Sequence, residues 1–299
     1  MSRWSENLIL ILNRVFPPMP MHRRLHTAKL DEAAYQQWEY AEAERIHGDF
    51  QPEWDLRDKR VLDVGCGLGG KMVFYARSGA RQVVGIDLRP ASVEATRDLA
   101  VQQGVADRVE VVVADAARLP FAAESFDVQV SVNVMEHVDD PRGVLQSSQL
   151  TLRRNGLAFL HFSPYLSPWG PHVENWINFP WPHLFFSEGT LLAALRRIEA
   201  TKRLDESYID QAQVPWDELE ALPELNKLTL RRSRTLLRDT GWCEVRHRWL
   251  PVGYQFLRDR GNLGRAILVA LQAVGSLPGI REILTTKMVF VLRRGTARL

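Results

Sequence analysis

Asp63 is the residue whose type and placement first suggest chemistry. It lies in the apolar run Val61-Leu62-Asp63-Val64, directly ahead of Gly65-Cys66-Gly67-Leu68-Gly69-Gly70. A carboxylate there suits a cationic ligand, and it sits too deep in an apolar run to serve as a helix cap. Glycine lets the backbone approach a bound small molecule and supplies the dihedrals of a tight strand-to-helix turn. Gly65, Gly67 and Gly70 match G-x-G-x-x-G, and Asp87 stands where an acid takes ribose hydroxyls. Asp63, however, would repel a pyrophosphate at the mouth of that site. Gly65 to Lys71 also satisfies G-x-x-x-x-G-K, but Met72 occupies the place where Ser or Thr must hold magnesium. There remains a ligand that carries positive charge and no phosphate.

Further acidic segments follow in order. They are Val83-Val84-Gly85-Ile86-Asp87, then Val113-Ala114-Asp115-Ala116, then Phe126-Asp127-Val128 continuing to Asn133-Val134-Met135-Glu136-His137. With these four ordered motifs the chain resembles the class I S-adenosylmethionine-dependent methyltransferases, in the broad group that includes quinone, sterol and natural-product methyltransferases. The resemblance implies S-adenosyl-L-methionine as cofactor. Asp63 would then receive the methionine ammonium, with Gly65, Cys66 and Gly67 packed against the amino acid end. Asp87 would accept both ribose hydroxyls in charge-assisted bonds, its alternative being the N-cap of the helix at Pro90. Leu88 would pack on the adenine face, while Asp115 would accept the exocyclic amine beside the Ala116 amide. A turn-forming role for Asp115 stays open. Asn133 and Val134 would line the methionine pocket, and Cys66 reads as a small packed side chain, not a nucleophile.

Methyl transfer from a sulfonium needs nucleophile, methyl and sulfur held in line, and a general base only when the acceptor is an alcohol. The candidates for proton handling are His137, His161, His172 and Glu174. Tyr165, Trp169, Trp176, Trp181 and His183 crowd a stretch that also holds Phe179, Phe185 and Phe186, and they read as an acceptor-binding lid. Such walls suit a sugar face, an aromatic ring or an isoprenoid chain. The competing reading is a surface loop pinned by its own aromatic core. His161, His172 and His183 match no familiar metal-ligand spacing, so no metal is expected.

The elements that must position these groups alternate between strand and helix patterns from residue 60. Strands are predicted at Arg60 to Val64, Gln82 to Asp87, Val109 to Ala114, Phe126 to Val132, Gly156 to Phe162, Trp242 to Leu250 and Lys287 to Arg293. Helices are predicted at Gly69 to Ser78, Pro90 to Gln103, Pro141 to Leu152, Glu188 to Ala200, Asn226 to Thr240 and around Ile267 to Val274. Ala33 to Ile46 should be a leading helix whose Tyr35, Trp38 and Tyr40 cover either the cofactor or a sheet edge. The resemblance implies an α/β fold, a doubly wound Rossmann-like seven-stranded sheet with its last strand antiparallel and with helical and aromatic insertions forming a cap. Residues 1–58 then read as an N-terminal helical segment over the cofactor site. Residues 59–299 read as the methyltransferase domain, interrupted at about 164–230 and 252–284.

The 299 residues, 45% of them hydrophobic, can bury a sizeable core. A net charge of +2 gives no field for nucleic acid. Two cysteines, Cys66 and Cys243, suggest neither a disulfide framework nor a metal knuckle. A reducing cytoplasmic location fits, and Glu6 with Phe16-Pro17-Pro18 argues against a cleaved signal peptide. The apolar runs are too short to span a bilayer. Trp4, Leu8, Ile9, Leu12, Val15 and Phe16 recur at helical spacing ahead of Arg23-Arg24, so residues 4–16 could lie peripherally on a membrane. They could equally dock on the protein or on a second subunit in a homodimer. The expected partner of the site is a small, weakly charged acceptor, methylated on oxygen. Carbon or nitrogen methylation is the alternative in chemistry, and a non-catalytic cofactor-binding module is the alternative in kind.

Overall fold

The computed structural model describes residues 3–16, 32–173, 176–202, 225–277 and 279–295. Its strands are β1 (Arg60–Val64), β2 (Gln82–Asp87), β3 (Val109–Val113), β4 (Phe126–Val132), β5 (Leu152–Phe162), β6 (Trp242–Pro251) and β7 (Thr285–Arg294). They form one seven-stranded sheet in the order β3-β2-β1-β4-β5-β7-β6. Strands β1 to β5 pair in parallel, and β7 runs antiparallel to β5, with Phe162 opposite Met288. The order reverses between β2-β1 and β4, which opens a crevice at the carboxyl ends of β1 and β4.

The crossover helices start and stop where backbone chemistry requires. Helix α3 (Gly70–Arg77) follows the glycine turn, after α1 (Arg3–Val15) and α2 (Glu32–Ile46). Helices α4 (Pro90–Gln102) and α5 (Pro141–Thr151) each begin on a proline, whose missing N–H costs nothing in a first turn. Asp140 caps α5 by accepting from the Gly143 amide at 2.9 Å. Strand β5 begins at Leu152, four residues before the predicted Gly156, because Leu152 already pairs with Phe126 across an irregularity in the ladder.

The remaining helices are α6 (Pro182–Phe185), α7 (Glu188–Lys202), α8 (Leu230–Asp239), α9 (Tyr254–Leu257), α10 (Gly261–Val274) and α11 (Ile280–Leu284). The chain divides into two compact units. One contains residues 31–162, 230–250 and 287–299, and its core is built on the sheet from Val61, Leu62, Met72, Tyr75, Ile86, Phe126, Phe159, Phe162 and Phe290. The other gathers residues 1–30, 163–229 and 251–286 around Ile9, Val173, Ile177, Phe179, Leu191, Ala194 and Leu195. Residues 1–58 are therefore not one segment, since α1 belongs to the second unit and α2 to the first. Ile9 is the physical reason: it is fully buried in the second core, and Asn13 of the same helix bonds the backbone at Trp176 and Asn178.

Candidate active site

The turn after β1 is stereochemically closed to any residue but glycine at two points. Gly65 and Gly67 take left-handed φ values of 74° and 61°. A Cβ on Gly65 would strike the Val134 side chain, and one on Gly67 would strike the Glu39 carboxylate. The amides of the turn are satisfied inside the protein. Gly65 and Cys66 each donate to the Ile86 carbonyl at 2.9 Å, and Gly69 donates to that of Cys66 at 3.3 Å. Gly67 donates to Asp87 Oδ2 at 3.1 Å, while Leu68 and Gly70 donate to the Glu39 carboxylate at 3.3 and 2.9 Å.

Glu39 thereby fills the place at a helix N-terminus that a phosphate would need. Lys71 Nζ lies 3.3 Å from Glu39 Oε1 in a buried ion pair, so this lysine is committed as well. The dinucleotide and Walker readings thus fail on geometry as well as on charge.

Asp63 is fully buried, and neither of its carboxylate oxygens has a hydrogen-bond partner among the described residues. Burial pushes its carboxyl up to about 7; Lys71 opposes the rise, and Glu39 and Asp87 add to it. The Tyr75 hydroxyl is also buried without a hydrogen-bond partner, and burial followed by the Asp63 charge holds its pKa well above the usual value. An orphaned buried carboxylate costs folding free energy unless a ligand completes it. A cradle of glycine backbone with unpartnered acid beside it fits the ammonium end of S-adenosylmethionine. The thiol of Cys66 is buried and pushed up by burial, then by Asp63, which suits packing and not nucleophilic chemistry.

Asp87 is not the N-cap of α4, since Arg89 holds that position. It accepts from the Arg89 amide at 3.0 Å through Oδ1, which also lies 3.5 Å from Arg89 Nε, and from Gly67 at 3.1 Å through Oδ2, whose second lone pair could take a ribose hydroxyl. Leu88 beside it is 68% exposed, an apolar surface open to a flat ring. Asp115 caps the 3-10 turn Ala116–Arg118 by accepting from the Ala117 amide at 2.9 Å, so its turn-forming role is real; its second oxygen is not used there. Ala116 is buried next to it.

Asn133 follows β4 directly, in the left-handed region at φ 56°. Its amide N–H donates to the His161 carbonyl at 2.7 Å, and its side chain is held between Lys287 Nζ at 2.6 Å and Glu42 Oε1 at 3.5 Å. Val134 packs on Gly65, and the amide of His137 closes a turn onto the Val134 carbonyl at 2.8 Å. His161 is 1% exposed, and neither ring nitrogen has a hydrogen-bond partner. Burial, with Lys287 and Arg45 adding to it, holds this imidazole well below the usual pKa and therefore neutral. Phe50 packs against it at 6.4 Å between ring centres.

The other candidates belong to the second unit. Tyr165 and Trp176 are partly buried against the Ile9 core, with Phe186. Trp181 takes a left-handed φ of 55° and donates its indole N–H to the Ile283 carbonyl at 2.9 Å. Trp169 accepts through its carbonyl from the His172 amide at 3.0 Å, and His172 is itself left-handed at φ 54°. His183 lies 5.0 Å from the Tyr165 ring, and burial lowers its pKa to about 4. Glu174 lies outside the described residues. The aromatic stretch thus builds a core of its own, which accounts for much of its aromatic content before any ligand is invoked.

Glu39, Glu42, Lys71, Tyr75 and Lys287 are the site residues that sequence reasoning missed. Helix α2 buries Gln36, Glu39, Glu42, Ala43 and Ile46, a largely polar stripe, while its aromatics are only half buried. Buried acids defy the pattern of apolar-in. The available signal was Lys71: a lysine entering a buried helix with no phosphate to meet requires a carboxylate.

Residues 62–160 match the family model described as a methyltransferase domain. A ubiquinone biosynthesis O-methyltransferase of Neisseria meningitidis serogroup C is 40% identical over 109 residues, covering 35% of this chain and 44% of that protein. A norajmaline N-methyltransferase of Rauvolfia serpentina is 37% identical over 84 residues, covering 28% and 29%. The chain thus spans less than half the length of these curated relatives. The solved structure of geranyl diphosphate C-methyltransferase from Streptomyces coelicolor A3(2), with Mg2+, geranyl diphosphate and S-adenosyl-L-homocysteine, superposes at a TM-score of 0.52. It covers 98% of this chain and 99% of its own at 15% identity, which establishes the shared fold.

Proposed function

We propose that this chain, which belongs through residues 62–160 to the class I S-adenosylmethionine-dependent methyltransferases, methylates a hydroxyl oxygen of a small, weakly charged acceptor of sugar, phenolic or lipid-like character. The observation that carries the cofactor half is the orphaned carboxylate of Asp63 beside a turn whose amides are already satisfied. A cation completes this arrangement, and a phosphate does not.

When bound, the cofactor supplies an electrophilic methyl group on a sulfonium. The residues of the chain do the rest. Asp63 balances the ammonium, Asp87 takes the ribose diol, Leu88 covers the adenine face, and Asp115 with the Ala116 amide reads the adenine edge. His161, neutral and with unpartnered ring nitrogens, is the group that can accept the proton of an acceptor hydroxyl. The match to an O-methyltransferase over 109 residues agrees with that chemistry.

Nitrogen or carbon methylation is the second reading, favoured on the nitrogen side by the N-methyltransferase that is 37% identical over 84 residues. Incubation with methyl-labelled cofactor and a fractionated cell extract, followed by identification of the labelled product, decides between them. Label on an oxygen supports the proposal, and label on nitrogen or carbon supports the second reading. Cofactor binding by calorimetry with no labelled product would indicate a binding module. NADH binding in place of S-adenosylmethionine would sink both readings.

A further inference from the structure

The segment from Gly253 to Leu284 departs from the usual rule for a surface helix. Helix α10 is 14 residues long and reads GNLGRAILVALQAV. It rests on the protein through Gly264, where a Cβ would strike the Leu257 carbonyl, and through the half-buried Leu268 and Leu271. The side turned outward should then be polar. Instead Leu263 is 73% exposed and Val269 63%, and Ile267 and Val274 are exposed as well. Leu263, Ile267 and Val274 fall at i, i+4 and i+11 on one stripe. Phe256 of α9 and Leu277 after α10 extend this apolar surface.

Its charges are one-sided. Arg258, Arg260, Arg265 and Arg281 stand in the segment against Asp259 and Glu282 alone, and since Arg258 pairs with Asp259 at 3.4 Å and Arg281 donates to the Gly275 carbonyl at 3.0 Å, Arg260 and Arg265 carry the surplus. Arg260 lies 3.8 Å over the Phe256 ring, so that guanidinium and aromatic ring present one amphipathic surface.

The occupant must therefore accept both aliphatic side chains and arginine. A second copy of the same surface would set these arginines against one another across an isologous contact. An anionic bilayer attracts them, at a gain of roughly five-fold in partitioning for each arginine near the surface. At about 1.5 Å per residue the helix is too short to span the hydrocarbon core of about 30 Å, so it would lie in the plane of the interface.

We propose that residues 253–277 with 279–284 form a docking surface for anionic phospholipid membranes. The full-length protein should float with vesicles of phosphatidylcholine and phosphatidylglycerol and not with phosphatidylcholine alone, and added salt should weaken the binding. The pair Ile267→Glu and Val274→Glu should lower the bound fraction at least ten-fold while the circular dichroism melt and cofactor affinity hold. If that variant unfolds, Arg260→Gln with Arg265→Gln, which leaves the aliphatic stripe intact, should weaken binding roughly 25-fold. Wild-type protein that stays with the buffer at low ionic strength would overturn the proposal, as would arginine variants that bind equally well. A concentration-dependent dimer in light scattering that the glutamate pair abolishes would instead identify this surface as a contact between two copies.

Discussion

Asp63 meets two opposed demands. Its folded carboxyl titrates near 7 against an ordinary value of 3.8, chiefly because it is buried. The folded protein therefore holds this proton more tightly than the unfolded chain. The stability it contributes is full below about pH 4 and is lost as pH rises through 7. A bound ammonium reverses the balance by favouring the ionised form, so cofactor affinity should rise with pH across the same window. Asp63→Asn should raise the melting temperature of the ligand-free protein at pH 8, and should weaken S-adenosylmethionine by about 1–3 kcal/mol in calorimetry. A lower melting temperature at pH 8 would contradict the assignment. His161 leads to a separate test. Because its pKa is held well below 6.5, kcat should show no limb near that pH from this residue. His161→Asn should slow turnover of a hydroxyl acceptor by about 10²–10⁴-fold without changing cofactor affinity.

At the scale of elements, α2 and the glycine turn operate as one piece. Glu39 accepts from two turn amides and from Lys71, and Gln36 donates to the Leu68 carbonyl at 3.2 Å. The backbone of Gln36 also sits where a Cβ on Gly70 would fall. Glu39→Ala should cost about 3–5 kcal/mol in chemical denaturation, because it strands the buried ammonium of Lys71. Adding Lys71→Met should recover part of that loss, and failure to recover any would place the cost in the two amides. Helix α2 shows what the sequence alone did not reveal, its buried acidic stripe. Tyr35, Trp38 and Tyr40 carry the apolar signal and pack half-buried, Tyr40 against Phe74 of α3, while the buried acids Glu39 and Glu42 meet Lys71 for one and Asn133 and Arg45 for the other.

At the scale of the whole molecule, the chain leaves the sheet-bearing unit twice and returns, at residues 163–229 and 251–286. The second unit also takes up α1, which lies far from those residues in sequence. Ile9 is fully buried there, beside Leu191, Ala194 and Leu195 of α7, and Glu6 pairs with Arg197 at 3.2 Å. Ile9→Ala should cost about 2–5 kcal/mol of stability in that unit. Hydrogen exchange should accelerate in α7 while the amides of β1 and β2 keep their protection, and uniform acceleration would mean that the two units unfold together. Among the described residues no helix is long and apolar enough to cross a membrane.

The amino-acid sequence by itself determined the strands and the crossover helices and pointed to Asp63, Asp87 and Asp115 as candidate cofactor acids, because those signals are local. An apolar run, a glycine turn and a carboxylate at a strand end are read within ten residues of one another. Tertiary structure alone decided which buried charges meet. Glu39 reaches Lys71 and Gly70 from about thirty residues away, and Lys287 reaches Asn133 from 154 away. It also decided that Trp176 and Tyr165 share a core with Ile9, and that α10 turns its apolar side outward. Partner choice across such separations depends on the packing of the whole chain, which no spacing of residue types encodes.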